Sequence, residues 1–240
     1  MLISHRKRFI FTKTDKTAGT SVESYFEKYC MPEGTWEFSH SRDEYVSETG
    51  IVGYRGPQAA RRTWHNHMSA AAIKQNIGDE VWNSYFKFTI IRNPFSKLVS
   101  AFSYIDKREK NRPLKERLRK LVRNIRGKGN ALSLISGNNP VDRFRSWIHN
   151  GGAIVDRDRY FIDGDICVDY FIRFEDLADG VKHVCDVLDV PFEPGNMPKL
   201  KSGSRNKQLP LKDFYDKETT ELVEDLYAFE LKHFDYQMPS

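Results

Sequence analysis

A chain of 240 residues with 39 % hydrophobic and 30 % charged side chains is long enough to bury a sizeable core and too apolar to remain disordered. Its formal charge of +5 favours an anionic ligand, an acidic polymer or an anionic membrane surface, without choosing among them. Three scattered cysteines, Cys30, Cys167 and Cys185, exclude a disulfide framework and a paired-cysteine metal site, and the apolar run at Phe9–Phe11 is too short for a signal-peptide core or a membrane span, so a cytoplasmic protein is expected.

In chain order, residues 8–12 read as a short buried strand followed by a polar turn. From Thr20 the apolar residues Val22, Tyr25, Phe26 and Tyr29 fall at i, i+3, i+4 and i+7, which predicts a helix. Residues 39–62 hold Gly50, Gly53, Gly56 and Pro57 without a steady period and predict a long loop with short elements, of the kind that often carries function. A helical run begins near Ala70. Residues 86–91 form the second strong strand candidate, after which Asn93 offers a helix cap and Pro94 suits the first helical position. Phe95, Leu98, Val99 and Phe102 give that helix an apolar face. Further helices are predicted over residues 114–125 and around Phe144, Trp147 and Ile148. A strand follows at 168–173, and Val181, Val184, Cys185 and Leu188 mark a helix after it. A last helix runs within 216–234 with Leu222, Leu226 and Phe229 inward. Strands alternating with helices predict an α/β fold, a P-loop-like central parallel sheet flanked by helices, as one domain over residues 1–240.

Between the first strand and helix stands Lys13-Thr14-Asp15-Lys16-Thr17-Ala18-Gly19-Thr20-Ser21. Small residues such as Ala18 and Gly19 let backbone N–H groups approach an anion, and a helix N-terminus adds unpaired donors and a favourable dipole. Thr17, Thr20 and Ser21 bring hydroxyls, and Lys16 a positive charge. Thr and Ser are also common at ordinary helix caps, so the motif alone leaves both readings open. It is not a Walker A loop, because the lysine precedes the glycine and no Gly-Lys-Ser/Thr follows. The second motif runs from Ile91 to Phe102. Arg92 ends a strand, where a guanidinium can hold a phosphate bidentately, and Ser100 lies on the next helix, on the side away from Phe95 and Leu98.

The order of lysine loop, helix, strand-end arginine and helix serine resembles the sulfotransferase superfamily. Within it the chain is most similar to the carbohydrate sulfotransferases that include heparan sulfate 2-O-sulfotransferase and bacterial relatives. The likeness extends to residues 168–177, Val-Asp-Tyr-Phe-Ile-Arg-Phe-Glu-Asp-Leu, and to a terminal helix over residues 215–236. The resemblance implies 3′-phosphoadenosine 5′-phosphosulfate as donor. Lys16 would contact the transferred or bridging oxygens, Thr17, Ala18, Gly19, Thr20 and Ser21 would surround the 5′-phosphate, and Arg92 and Ser100 would bind the 3′-phosphate. The small and basic loop at 202–207 would close over the nucleotide through Ser204 and Arg205. Relatives carry proline immediately before the motif lysine. This chain has Asp15 there, whose carboxylate is expected to point away from the donor or pair with a lysine such as Lys13.

Transfer to a hydroxyl needs a proton acceptor, and neutral imidazole is suited to it near pH 7. Trp64-His65-Asn66-His67-Met68-Ser69 supplies two histidines that would point the same way in extended backbone. By resemblance to the 2-O-sulfotransferases, which carry His-x-His here, His67 is the first choice of base and His65 the second, with His65 and Lys13 also contacting substrate. A zinc site would need a further ligand that the sequence does not offer, so no metal is expected. Residues 107–128 carry eleven lysines and arginines against Glu109 and Glu116. Such a run is a solvated face, a surface for an anionic carbohydrate acceptor, or one for peripheral membrane association. The rivals are a nucleotide kinase-like P-loop enzyme, opposed by the missing Gly-Lys-Ser/Thr, and a basic nucleic-acid or polyanion-binding protein, for which no nucleic-acid motif is present. The acceptor and the oligomeric state are not legible.

Overall fold

The structure, a computed structural model, describes residues 1–57, 59–111, 135–196 and 209–239. The helix predicted at 114–125 and the site candidates Ser204 and Arg205 lie outside the described residues. In chain order the strands and α-helices are β1 (Leu2–Ser4), β2 (Phe9–Phe11), α1 (Gly19–Phe26), β3 (Tyr45–Ser47), β4 (Gly50–Val52), α2 (Ala70–Ile77), α3 (Asp79–Ser84), β5 (Phe86–Ile91), α4 (Pro94–Lys110) and α5 (Pro140–His149). They continue with β6 (Phe161–Ile162), β7 (Asp165–Ile166), β8 (Tyr170–Arg173), α6 (Leu177–Val187), α7 (Lys217–Leu226) and α8 (Ala228–His233). The chain forms two compact units, Met1–Arg92 with Asp156–Lys201, and Asn93–Val155 with Ser202–Ser240.

The first unit is built on a sheet of order β3-β4-β1-β2-β5-β8. Its parallel core is the one predicted: β5 pairs in parallel with β2, Phe9 opposite Phe86, and with β8, Phe88 opposite Tyr170. The other side is antiparallel, β1 pairing with both β2 and β4 and β4 with β3, so the whole sheet is mixed. Side-chain alternation along β2 sends Phe9 and Phe11 to one face and Ile10 to the other. On the first face Phe11 and Phe26 pack on Phe88 with ring centroids 5.1 and 5.3 Å away, backed by Val181, Val184 and Cys185 of α6. On the second, Ile10 joins Ile3, Ile51, Trp64, Ile73 and Trp82. Gly50 is needed where β4 meets β1, since a Cβ there would lie 2.3 Å from the Ile3 carbonyl oxygen. Because β2 and β5 run in parallel, the residues that follow them leave the same edge of the sheet, the edge at which parallel α/β sheets place ligands.

The second unit is helical in its described residues. Asn93 caps α4 by accepting from the Phe95 N–H at 3.0 Å, with Pro94 at the first helical position as predicted. Asn139 does the same for α5, accepting from Val141 and Asp142 at 2.9 Å each. Phe102, Phe144, Trp147, Phe214 and Tyr215 make an aromatic core, and Arg143 Nε bonds Asp106 Oδ1 at 2.8 Å between α5 and α4. The predicted terminal helix is broken into α7 and α8 at Tyr227, whose buried hydroxyl donates to the Ile154 carbonyl. Val223 and Tyr227 take the inward positions, and Leu226, expected inward, is 40 % exposed. Among the described residues no helix is long and apolar enough to cross a membrane.

Candidate active site

The loop that leaves β2 is fastened to β5 before it reaches Lys16. The Thr12 N–H continues the parallel ladder to the Phe88 carbonyl at 3.1 Å, and the Thr89 hydroxyl donates to the Thr12 carbonyl at 2.9 Å. Thr14 turns its hydroxyl to the Ile90 carbonyl and shares a hydrogen bond with Thr17 Oγ1 at 2.9 Å. Two further contacts grip the peptides around Lys16. The Asp15 N–H donates to Asp156 Oδ2 at 2.7 Å, and Arg92 Nη1 donates to the Lys16 carbonyl at 3.0 Å. Between and beyond them Lys16 and Ala18 each adopt φ of 60°, a left-handed conformation that costs a side-chain-bearing residue about 1–3 kcal/mol and is concentrated at functional sites. Helix α1 then starts without a side-chain cap and without an acidic residue in its first turn; the Ser21 amide turns back to the Ala18 carbonyl at 2.8 Å, and the Gly19 and Thr20 amides and the positive end of the dipole face the start of the helix, where an anion is favoured. Gly19 is small for another reason: a Cβ there would lie 2.9 Å from Lys13 Cγ, so the lysine stem crosses it.

That crossing moves Lys13 out of its expected role. Lys13 is 3 % exposed, with Nζ 2.6 Å from Glu23 Oε2, and so is packed in the interior rather than presented to a substrate. Glu23 also takes Arg55 Nη1 at 2.8 Å, and Glu27 completes the network with Arg55 Nη2 at 3.3 Å and Arg42 Nε at 2.7 Å. Burial opposes ionisation of Glu23, yet Lys13, the amino terminus and Arg55 together hold its carboxyl well below the usual carboxylate range. The expectation of hydroxyl donors is corrected in part. Thr17 is buried with its hydroxyl turned to Thr14, so its backbone is what it can offer an anion; Ser21 is buried and Thr20 half-buried. Asp15 does not pair with Lys13 either. Its Oδ2 lies 3.7 Å from His67 Nδ1.

The histidine segment is anchored by buried Trp64 and Met68 and ends where Ser69 caps α2, accepting from the Ala72 N–H at 3.2 Å. His67 has φ of 59°, so the segment is not extended and the alternation expected to aim both histidines one way does not apply. Its Nδ1 is 3.0 Å from the Lys13 carbonyl. A carbonyl only accepts, so Nδ1 carries the hydrogen and the lone pair is on Nε2. Burial pushes the His67 pKa down to about 4; Asp15 raises it, while Lys13 and the amino terminus lower it further. The ring is therefore neutral at neutral pH. His65 bonds the Asn66 carbonyl of its own segment through Nδ1 at 2.8 Å, and of the two only His67 has a hydrogen bond to the loop that leaves β2.

Arg92 is half-buried, its guanidinium carbon 4.1 Å from the centre of the Phe174 ring. A cation laid on an aromatic face keeps its planar fork oriented, and here that fork serves the Lys16 peptide. Ser100 belongs to the second unit and is buried at 8 % exposure. Within the first unit the fold thus gathers Asp15, Lys16, His67 and Arg92. It adds Asp156 and Phe174, which no pattern had marked: Asp156 reaches Asp15 across 141 positions of chain, and Phe174 was noted only within a strand and turn.

A family model described as the sulfotransferase family matches residues 1–237, nearly the whole chain. No curated protein and no solved structure gave a match. With a parallel β2-β5-β8 core, a lysine loop running into an uncapped helix and a strand-end arginine on that loop, the chain belongs to the sulfotransferase family, whose fold is P-loop-like, and is an enzyme that transfers sulfuryl groups.

Proposed function

We propose that the enzyme transfers the sulfuryl group of 3′-phosphoadenosine 5′-phosphosulfate to a carbohydrate hydroxyl by in-line displacement, with His67 as the base. The observation that carries the reading is the hydrogen bond from His67 Nδ1 to the Lys13 carbonyl, which fixes a neutral imidazole on the same loop that bears Lys16. The loop's chemistry suits the donor: left-handed backbone at Lys16 and Ala18, an uncapped helix start and no acidic residue in its first turn all favour a bound phosphate. When bound, the donor supplies an electrophilic sulfur and a phosphate leaving group. Nε2 of His67 takes the acceptor proton, Lys16 offsets the negative charge that grows on the leaving side, and the amides of residues 17–20 are fixed dipoles that need no reorganisation. The resemblance assigns the 3′-phosphate to Arg92 and Ser100 and adds Ser204 and Arg205 around the nucleotide. A formal charge of +5 supports an anionic polysaccharide or glycolipid as acceptor.

The test is an acceptor screen with radiolabelled donor, run on wild type, Lys16→Ala and His67→Asn. Asparagine tolerates the left-handed backbone at position 67, so the second variant removes the base without adding strain. Loss of the base should lower kcat by about 10²–10⁴-fold, and Lys16→Ala should abolish most turnover while circular dichroism stays unchanged. Calorimetry should show adenosine 3′,5′-bisphosphate binding without magnesium. Absence of binding heat, or wild-type turnover in either variant, would overturn the assignment.

A further inference from the structure

We propose that Asp15 is a positioning residue for His67: its carboxylate, set beside Nδ1, stabilises the imidazolium that forms when Nε2 takes the proton of the acceptor hydroxyl. This rests on His67 being the base. In the step, the hydroxyl loses its proton to Nε2 as its oxygen bonds to sulfur, and the bond from sulfur to the nucleotide phosphate breaks with its electron pair leaving on that phosphate. Positive charge therefore appears on a ring that was neutral.

The geometry places a counter-charge for it. Asp15 Oδ2 is 3.7 Å from Nδ1, with the two side chains about equally shielded at 33 % and 34 % exposure. The direction of the Asp15 side chain is constrained from behind. Its N–H is bound by buried Asp156, the next residue is held left-handed, and that residue's carbonyl is bound by Arg92. The ring is fixed too, since Nδ1–H donates to the Lys13 carbonyl at 3.0 Å. Ring and carboxylate are thus both tied to the loop that leaves β2, the ring by a hydrogen bond and the carboxylate by the chain, and no rearrangement is required when the charge forms. Among the charged groups with the largest effect on the ring, Lys13 and the amino terminus of Met1 oppose the imidazolium and Asp15 favours it. The Lys13 ammonium is committed elsewhere, 2.6 Å from Glu23 Oε2.

A carboxylate at this range shifts a neighbouring pKa by about 1–3 units. Asp15→Asn keeps the shape and the backbone N–H and removes the charge. It should lower kcat by about ten- to a hundredfold, move the acid limb of kcat/KM about one unit or more to lower pH, and leave affinity for adenosine 3′,5′-bisphosphate undiminished. A merely structural Asp15 would weaken nucleotide binding or stability and leave the limb in place, and that outcome overturns the proposal. His67→Asn separates the two readings: if it retains wild-type turnover the base assignment fails, and this proposal with it; if it is inactive while Asp15→Asn keeps the wild-type limb, only the role of Asp15 fails. Should Asp15→Asn not fold, Asp15→Ser is read in the same way: an acid limb of kcat/KM moved about one unit or more to lower pH is expected, and a limb at the wild-type pH would overturn the proposal.

Discussion

Glu23 is fully buried, and its carboxylate is engaged by Lys13 at 2.6 Å and Arg55 at 2.8 Å. Desolvation of so many charges leaves little net gain over an apolar cluster of the same shape, but removing one member is costly because the rest keep their burial and lose their partner. The functional consequence runs through Lys13: its stem crosses Gly19 at the start of α1 and its carbonyl holds His67, so the network sets the loop from below. Glu23→Ala should therefore destabilise the protein by about 3–5 kcal/mol at pH 7. The pH dependence has a definite sign. The folded carboxyl is depressed below its ordinary value of 4.5, so its contribution is complete above that pH and lost as the pH falls beneath it. Urea unfolding at pH 7 and pH 3 checks both points. The gap between wild type and variant should narrow at pH 3, and an equal gap at both would show that the charge is not what Glu23 contributes.

At the scale of elements, the loop between β2 and α1 is held against its own preference. Ala18, at φ of 60° and ψ of 18°, sits where glycine would be at ease. Ala18→Gly should raise stability by about 1 kcal/mol, read as a higher urea midpoint at unchanged m-value; a lower midpoint would mean that the methyl group is packed and the strain slight. The same loop shows why some of the site was legible and some was not. Strand β5, the Asn93-Pro94 start of α4 and the position of Lys16 between strand and helix are local signals, carried by β-branched runs, caps and breakers within a few residues. Left-handed turns are ordinarily flagged by glycine, yet here they fall on Lys16, Ala18 and His67, while neighbouring Gly19 is small only to clear the Lys13 stem. Strand β1 is three residues long and gains its place by pairing with β2 and β4, which no period of three residues reveals. At the break the Tyr227 hydroxyl reaches the Ile154 carbonyl, and the grip of Asp156 on Asp15 joins distant stretches; both are tertiary facts.

Over the whole molecule, the excess of basic residues is uneven along the chain. Residues 107–128 alone contribute eleven lysines and arginines, against a net of +5 for all 240 residues, so the remainder of the chain is close to neutral or acidic. A charge concentrated in one stretch of sequence raises the local concentration of any anionic acceptor, and that attraction, unlike the hydrogen bond that holds His67, is long-range and exposed to salt. The two contributions can be told apart by kinetics at saturating donor. Raising the ionic strength from about 0.1 to 1 M shortens the Debye length from about 10 to 3 Å. For an anionic polysaccharide KM should rise at least about tenfold over that range, with kcat little changed, because steering and capture are screened while the short hydrogen bonds around Lys16 are not. A neutral sugar acceptor should show no comparable rise. Equal salt responses for the two acceptors would remove the case for an anionic substrate, and strong binding to vesicles of anionic lipid, lost at 1 M salt, would assign the basic stretch to a membrane surface instead.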